Sequence, residues 1–346
     1  MKKIGILTGG ADCPGLNSVI RAVVRKAMQE GCVVTGIKNG WMGLIENDMR
    51  ILDLRLTSGI LDRGGTILGT SRMVSPLKAD QIKKISENYK RSGIDAVIAV
   101  GGEDTLKIAL DLHEMDVIRV VGVPKSIDNA LSGTDYAFGF DTAVNVATEC
   151  IDRLHTTAES HHRIIVIEVM GRYTGWIALE AGIAGGADII LVPEFPINID
   201  EICDSLRLRH GRGKSFSIIV VSEGARVAGY TDFDRDDTSG KHRVGKMGEF
   251  LANLIEDKTG YETRVSVLGY IQRGGIPTAY DRIIGTRFGV KAVELVKESK
   301  FGKMVSLHDN KIRSVDIKEA VKQRKSIDLD LYEISKVFSA VTENNL

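Results

Sequence analysis

The chain has 346 residues, 43% of them hydrophobic and 27% charged, as in ordinary globular proteins. Its 46 basic and 46 acidic residues balance, so bulk charge favours neither nucleic acid nor an acidic membrane as a partner. No apolar run approaches the roughly 20 residues that span a bilayer, and residues 4–7 are too short for a signal-peptide core. The four cysteines show neither CxxC spacing nor disulfide density, so we expect a reduced, cytoplasmic protein.

Short apolar runs rich in valine and isoleucine recur along the chain, punctuated by glycines. They are apolar at successive positions, as in parallel strands that helices cover on both faces. The predicted strands are 4–7, 33–37, 96–100, 117–123, 164–169, 189–192, 218–221 and 265–268. Helical periodicity lies between them, for example from Pro14 to Gly31. This alternation predicts a doubly wound α/β architecture, in which ligands bind beyond the carboxyl ends of the strands.

Three of these strand ends carry residues suited to phosphate chemistry. The first strand leads into TGGADCPGLN, where glycines precede a helix N-terminus that could hold a phosphate, although a plain tight turn explains it equally well. The third leads into GGED, where Glu103 suggests a magnesium ligand or a solvated acidic turn. The fourth leads into PKSIDN, where Lys125 and Ser126 could grip a phosphate and Asp128 could act as a base; a helix cap is the alternative.

Arginines accumulate around the later strands, at positions 163, 172, 264 and 273. A planar guanidinium binds phosphate through two hydrogen bonds, so several converging arginines would suit a phosphorylated substrate. Each arginine alone is more often the partner of a surface ion pair. Their positions near strand ends and glycine pairs favour the phosphate-binding interpretation.

Nine sequence blocks resemble, in the same order, those of the phosphofructokinase family: GILTGGADCPGLN, GGTILGTSR, GGEDT, PKSIDN, GTDYAFGFDTA, SHHR, VMGRYTGW, VVSEGA and ETRVSVLGYIQRGG. The resemblance extends to about Asp281 and Arg282. It implies two doubly wound, mostly parallel three-layer α/β/α domains with the active site in the cleft between them. The phosphoryl-donor domain would comprise 1–140 plus about 275–325, and the sugar-phosphate domain 141–274 plus about 326–346. We expect the tail from Lys318 to be a terminal helix and a surface segment without chemistry.

The resemblance implies phosphoryl transfer to the 1-hydroxyl of fructose 6-phosphate, in glycolysis or gluconeogenesis. Asp128 would be the catalytic base, assisted by Lys125 and Arg172, with Mg²⁺ near Glu103. The phosphoryl donor would face Gly10, Ala11 and Arg72. Fructose 6-phosphate would be held by Ser126, Asp128, Arg163, Met170, Gly171, Arg172, Glu223, Arg264, Tyr270 and Arg273. In the family, the residues that match Arg163 and Arg264 reach across from a neighbouring subunit, which implies a homo-oligomer, a dimer or tetramer, with a shared active site.

The identity of the donor depends on two positions where ATP-using relatives carry glycine. Here Asp104 and Lys125 stand in GGED and PKSIDN. A carboxylate about 4 Å from the α-phosphate of ATP would repel it by about 4 kcal/mol at an effective dielectric of about 20. Pyrophosphate ends before that position, and Ile108 would further crowd the nucleoside. In the family this Asp–Lys pairing is associated with pyrophosphate dependence, and we expect a reversible reaction.

Two alternatives remain open at this point. An ATP-dependent phosphofructokinase would follow if Asp104 and Lys125 merely formed a salt bridge. A non-catalytic sugar-phosphate-binding regulatory subunit is disfavoured because Asp128, Glu103 and Arg172 are all present. Three departures from the family pattern affect these readings: Ala11 and Ala130 replace a glycine and an aspartate, while Tyr270 replaces histidine but still offers a hydroxyl.

Overall fold

The structure, a computed structural model, describes residues 2–230 and 246–339. The chain divides into two compact units: unit 1 comprises Met1–Thr142 and Arg273–Arg324, and unit 2 comprises Ala143–Gln272 and Lys325–Leu346. The predicted domain ranges also include 231–245 and 340–346, which lie outside the described residues. Within the described part of the chain, we find no helix with the length and apolar character needed to cross a membrane.

Strands and helices alternate along most of the chain. The strands are β1 Lys3–Thr8, β2 Val33–Ile37, β3 Met49–Leu52, β4 Ala96–Gly101, β5 Val120–Pro124, β6 Ile164–Val169, β7 Ile189–Leu191, β8 Ser217–Ser222, β9 Thr263–Val267, β10 Lys303–His308 and β11 Lys311–Asp316. The helices are α1 Leu16–Gln29, α2 Trp41–Glu46, α3 Ala79–Ser92, α4 Glu103–Glu114, α5 Phe140–His161, α6 Trp176–Ala184, α7 Ile199–Gly211, α8 Lys246–Thr259, α9 Ala279–Lys297, α10 Ile317–Ala320 and α11 Leu329–Ser339. A 3₁₀ helix spans Gly269–Arg273.

Unit 1 is built on a seven-stranded sheet in the order β11-β10-β5-β4-β1-β2-β3. The five inner strands are parallel, whereas the edge strands β3 and β11 pair antiparallel with their neighbours. On one face, Leu7 and Ala99 pack in a core with side chains from α2, α3, α4 and α10. On the other face, α1 packs closely on α9, since a Cβ added to Gly289 would lie 2.8 Å from the Cβ of Ala22.

Unit 2 is built on a parallel four-stranded sheet in the order β7-β8-β6-β9. The side chains of Ile164 and Val166 enter a core with α7 and α8. Helix α6 packs close to β7, because a Cβ on Gly182 would lie 2.7 Å from Ile190. Parallel strands with covered faces are the arrangement that uninterrupted apolar runs predict, since both faces of each strand are buried.

The predicted α/β class with mostly parallel sheets is confirmed, and each predicted strand corresponds to an observed one. The sequence pattern missed β3, β10 and β11. β3 and β11 are edge strands with few buried residues, and Ser306 interrupts the apolar run of β10. The tail after Lys318 contains α11 as expected.

Candidate active site

The first loop of unit 1 follows β1 and is held against a second loop by backbone contacts. The Gly10 N–H donates to the Ser71 carbonyl at 3.0 Å, and Thr70 Oγ1 donates to the Gly10 carbonyl at 2.6 Å. Gly10 has a φ of +78°, a left-handed conformation that favours glycine. The pairing places Arg72, whose side chain is exposed, close to the loop that contains Gly10 and Ala11.

Lys125 follows β5 and is buried at the same edge of the sheet. It is 5% exposed, and its Nζ donates to the Ala11 carbonyl. Burial lowers the pKa of Lys125 and the nearby positive charge of Arg273 also lowers it, while the charges of Asp128 and Asp12 oppose the shift. Among the residues that the structure describes, no carboxylate forms an ion pair with Lys125, and the salt bridge to Asp104 considered above is not formed. A buried ammonium whose hydrogen-bond partner is a carbonyl would gain from an adjacent anion.

Asp128 lies in a loop that backbone and side-chain contacts hold in place. Ser126 Oγ donates to Asp128 Oδ1, so one carboxylate oxygen already has a donor. The next residue, Asn129, is 1% exposed, and its Oδ1 accepts a hydrogen bond from the Ala137 N–H at 3.1 Å. Asp128 itself is only partly buried. The loop therefore fixes the carboxylate while leaving part of it accessible.

Glu103 begins α4 and is contacted by two cations. Lys107 Nζ lies 2.5 Å from Oε1, and Arg324 Nε lies 2.9 Å from Oε2. Burial alone would raise the pKa of Glu103, but the hydrogen bond from Lys107 and the charge of Arg324 outweigh it and leave the pKa lowered. Over residues 2–230 and 246–339, no group of three or more His, Cys, Asp or Glu side chains could hold a metal ion. These residues do not fit a Mg²⁺ ion held by the protein alone.

The two residues expected to exclude ATP occupy different environments. Asp104 is the second residue of α4 and is partly exposed. Its charge lies at a helix N-terminus that would otherwise attract phosphate. Ile108, one turn further along, is fully buried in the core of unit 1 and presents no surface to a ligand. Of these two residues, only Asp104 could therefore contact a donor directly.

Two loops of unit 2 meet at the carboxyl ends of β6 and β8. The Gly224 N–H donates to the Gly171 carbonyl at 3.2 Å, and the Glu223 N–H donates to the Val169 carbonyl at 2.9 Å. Gly171 has a φ of +143°, and a Cβ there would lie 2.4 Å from Ser222 Oγ, so this position requires glycine. The structure thus brings the predicted residues Gly171 and Glu223 together.

The remaining sugar-phosphate residues of this edge surround those loops. The Met170 N–H donates to the buried Gln272 side chain at 3.3 Å, and the guanidinium of Arg172 lies over the Tyr173 ring, 5.1 Å from its centroid. Tyr270, in the 3₁₀ helix, is 70% exposed. Gln272 was not identified from the sequence, because an isolated glutamine carries no local signal of its buried contact.

Arg163 and Arg264 lie elsewhere in unit 2, at the opposite edge of the sheet. Arg163 precedes β6 and Arg264 is near the start of β9, whereas Met170 follows β6. Six strand residues separate the two edges by roughly 20 Å. Both arginines contact Glu262: Arg163 Nη2 lies 2.8 Å from Oε1, and Arg264 Nη2 donates to the same oxygen. Within unit 2, the structure therefore does not bring these arginines to Met170, Gly171 or Glu223.

Two charged residues of these contacts were not identified from the sequence. Glu262 stands in ETRVSV, where a glutamate before an arginine is the only signal. Arg324 lies in the tail that was expected to carry no chemistry; instead it contacts Glu103, the predicted magnesium residue. That contact joins positions far apart in the sequence, which no local pattern could indicate.

Comparison with known proteins identifies one family. A family model described as phosphofructokinase matches residues 3–296. A pyrophosphate–fructose 6-phosphate 1-phosphotransferase of Streptomyces coelicolor is 51% identical, over 97% of this chain and 99% of that protein. An ATP-dependent 6-phosphofructokinase 3 of the same organism is 48% identical, over 94% of this chain and 96% of that protein.

Solved structures agree with the fold. The structure of phosphofructokinase from Saccharomyces cerevisiae has a TM-score of 0.81 and 31% sequence identity, and the match covers 98% of this chain. This chain spans 47% of that longer chain. The two relatives from Streptomyces coelicolor use different donors by name but have nearly equal identity, so identity alone does not assign the donor.

Proposed function

The chain belongs to the phosphofructokinase family, and we propose that it transfers a phosphoryl group from pyrophosphate to the 1-hydroxyl of fructose 6-phosphate. The products are fructose 1,6-bisphosphate and phosphate, and the reaction runs in both directions. The observation that carries the choice of donor is Lys125, a buried ammonium beside the first loop with no carboxylate ion-paired to it in the described chain. Asp128 and Asp12 act on this ammonium only at longer range, and a compact dianionic end group such as that of pyrophosphate could form the direct ion pair.

Each unit has one task in this proposal. Unit 1 holds the donor at Gly10, Ala11, Arg72 and Lys125, together with the base Asp128. Unit 2 holds the sugar phosphate through Met170, Gly171, Arg172, Glu223 and Tyr270. We also assign Ser126 and Arg273 to this substrate.

The reaction needs one proton acceptor and cationic stabilisation of the transferred group. Asp128 takes the proton from the 1-hydroxyl of fructose 6-phosphate while the hydroxyl oxygen forms a bond to the terminal phosphorus of pyrophosphate. The bond from that phosphorus to the bridging oxygen of pyrophosphate breaks and releases phosphate. The hydrogen bond from Ser126 Oγ orients the Asp128 carboxylate. Lys125 and Arg172 balance the negative charge of the transferred group, which is the main demand of phosphoryl transfer.

Discrimination against ATP follows from the start of α4. Asp104 places a negative charge at the N-terminus of that helix, where the α-phosphate of a nucleotide would otherwise be attracted. Pyrophosphate has no group in that position, so Asp104 opposes one donor and not the other. We propose Mg²⁺ as the ion that accompanies pyrophosphate, because magnesium commonly binds to substrate phosphates.

The arginine pair at the far edge of unit 2 favours a shared active site. Arg163 and Arg264 are separated from Met170 by the length of β6, so in our proposal they serve the sugar phosphate of a second copy of the chain. This makes the functional form a homo-oligomer, a dimer or tetramer, and light scattering would show a monomer if the proposal were wrong. We place the enzyme in the cytoplasm, in keeping with four free thiols.

One assay tests the donor. Formation of fructose 1,6-bisphosphate is measured with Mg²⁺ and either pyrophosphate or ATP over a range of concentrations. We expect turnover with pyrophosphate and at least about a hundredfold lower kcat/KM with ATP, the size of a close charge repulsion. A preference for ATP would overturn the donor assignment. Absence of turnover with both donors would instead support a non-catalytic sugar-phosphate-binding subunit.

A further inference from the structure

Glu103 is held at both carboxylate oxygens by side chains from two parts of unit 1. Lys107 lies one turn along α4 and contacts Oε1, while Arg324 comes from the segment after α10 and contacts Oε2. The side chains of Glu103, Lys107 and Arg324 are 27%, 40% and 42% exposed. We call these three residues the Glu103 clamp.

The backbone of Arg324 is fixed as well as its side chain. Arg324 forms an antiparallel bridge with Leu131, three residues after Asp128. Leu131 is 4% exposed and belongs to the core of unit 1. Arg324 therefore joins the loop of the base to the first turn of α4, which also carries Asp104.

This arrangement leaves Glu103 poorly suited to bind a metal ion. Two cations occupy its oxygens, and each would repel a divalent ion placed beside the same carboxylate. Mg²⁺ demands near-ideal octahedral geometry, with several waters and oxygen ligands around it, so it tolerates such crowding badly. Across the described residues, no group of three or more His, Cys, Asp or Glu side chains could hold a metal ion, at Glu103 or elsewhere.

We infer that Glu103 is a positioning residue and not a magnesium ligand, and that Arg324 and Lys107 use it to fix the start of α4 beside the base loop. Mg²⁺ then enters with pyrophosphate, and the Glu103 clamp sets the position of Asp104 and thereby the fit of the donor. This inference rests on the proposed function for its kinetic part only, because the clamp and metal binding can be measured without turnover.

The first experiment uses the free enzyme. Unfolding by urea is measured in the presence of a chelator for the wild type, E103Q, R324Q and the double variant. We expect the double variant to lose clearly less stability than the sum of the single losses, as for residues in direct contact. Additive losses would contradict the clamp. E114Q, which removes the exposed Glu114–Lys318 pair of the same helix, is the matched control.

The second experiment measures metal binding without substrates. Mn²⁺ is titrated into the wild type and E103Q and followed by electron paramagnetic resonance. We expect no site that depends on Glu103. A Mn²⁺ site in the wild type that E103Q weakens by about tenfold or more, the usual effect of losing a ligand or its support, would overturn the inference. This result does not depend on which phosphoryl donor the enzyme uses.

The third experiment separates positioning from a general loss of stability. For R324Q we expect the KM for magnesium pyrophosphate to rise about tenfold, because small displacements of a binding loop are costly, while the KM for fructose 6-phosphate changes little. R324K should recover part of the loss, since its ammonium can reach Glu103. Equal changes in both KM values, or a shifted free-Mg²⁺ requirement, would contradict the assignment. If the wild type prefers ATP, the proposed function fails while the first two experiments still decide the clamp.

Discussion

The predicted phosphate-binding cations of the two units lie in different environments. In unit 1, Lys125 is buried and donates to a carbonyl, and within the described residues it has no carboxylate partner. In unit 2, Arg163 and Arg264 are partly exposed and share the carboxylate of Glu262. A buried cation that no carboxylate contacts directly gains more from a bound anion than a cation that is already in an ion pair. In the proposed function, Lys125 would therefore gain its ion pair from the donor, whereas Arg163 and Arg264 would have to exchange Glu262 for the sugar phosphate.

The largest expected effect comes from Lys125. Lys125→Met keeps the length of the side chain and removes its charge, so we expect kcat/KM for pyrophosphate to fall by about 10²–10³-fold, as for loss of a charge-stabilising donor. Thermal unfolding without ligand should move to higher temperature, because a buried ammonium is replaced by an apolar group. Steady-state kinetics and calorimetry check both signs. A variant that is less stable but fully active would contradict the role given to Lys125.

A buried acid in unit 1 provides a second comparison. Asp281 is fully buried, yet it accepts hydrogen bonds from the Gly139 N–H at 2.8 Å and from the N–H and hydroxyl of Thr142. Burial raises the pKa of Asp281 from 3.8 to about 6, although those donors oppose the shift. Unlike Lys125, which has one carbonyl acceptor, this buried group accepts hydrogen bonds from several protein donors, so its titration should affect stability and not donor binding.

The expected pH dependence follows from the direction of that shift. A raised folded-state pKa gives a stabilisation that is complete below about pH 3.8 and is lost as the pH rises through about 6. Relative to Asp281→Asn, the wild type should therefore lose about 3 kcal/mol of unfolding free energy across this window. Urea unfolding of both proteins from pH 4 to pH 7 measures the difference between their unfolding free energies. The contributions of the other carboxylates cancel in this difference. A constant difference across the range would show that Asp281 does not titrate there.

The smallest expected effect concerns Glu262. Glu262→Gln removes the carboxylate that Arg163 and Arg264 share, so the two guanidinium groups should repel each other and lose their common orientation. We expect the KM for fructose 6-phosphate to rise about fivefold, in the range of exposed charge pairs, with little change in the KM for pyrophosphate. Glu149→Gln, which removes the exposed pair with Arg153, is the control. A changed KM for pyrophosphate alone would contradict the assignment of this pair to the sugar phosphate.

The sequence predicted the parts of this molecule that local patterns determine. Apolar runs located the inner strands, and predicted site residues do follow them: Lys125 comes directly after β5, and Gly171 lies just beyond β6. Contacts between distant segments carried no such signal. Arg324 contacts Glu103, although the two residues are far apart in the sequence. Glu262 contacts two arginines that lie near the amino ends of the strands of unit 2. Pairings of this kind depend on the tertiary fold, which a single sequence without aligned relatives does not specify.

Ile108 was predicted to crowd a nucleoside, but in the structure it contributes to the stability of unit 1. The side chain is completely buried among core residues of unit 1, not at the surface of the donor loop. Replacing it with glycine would leave a cavity costing about 2–5 kcal/mol and would add about 1 kcal/mol for glycine inside a helix. That is a large share of the roughly 5–15 kcal/mol that stabilises a typical domain. Position 108 could therefore change to glycine only after stabilising changes elsewhere in unit 1.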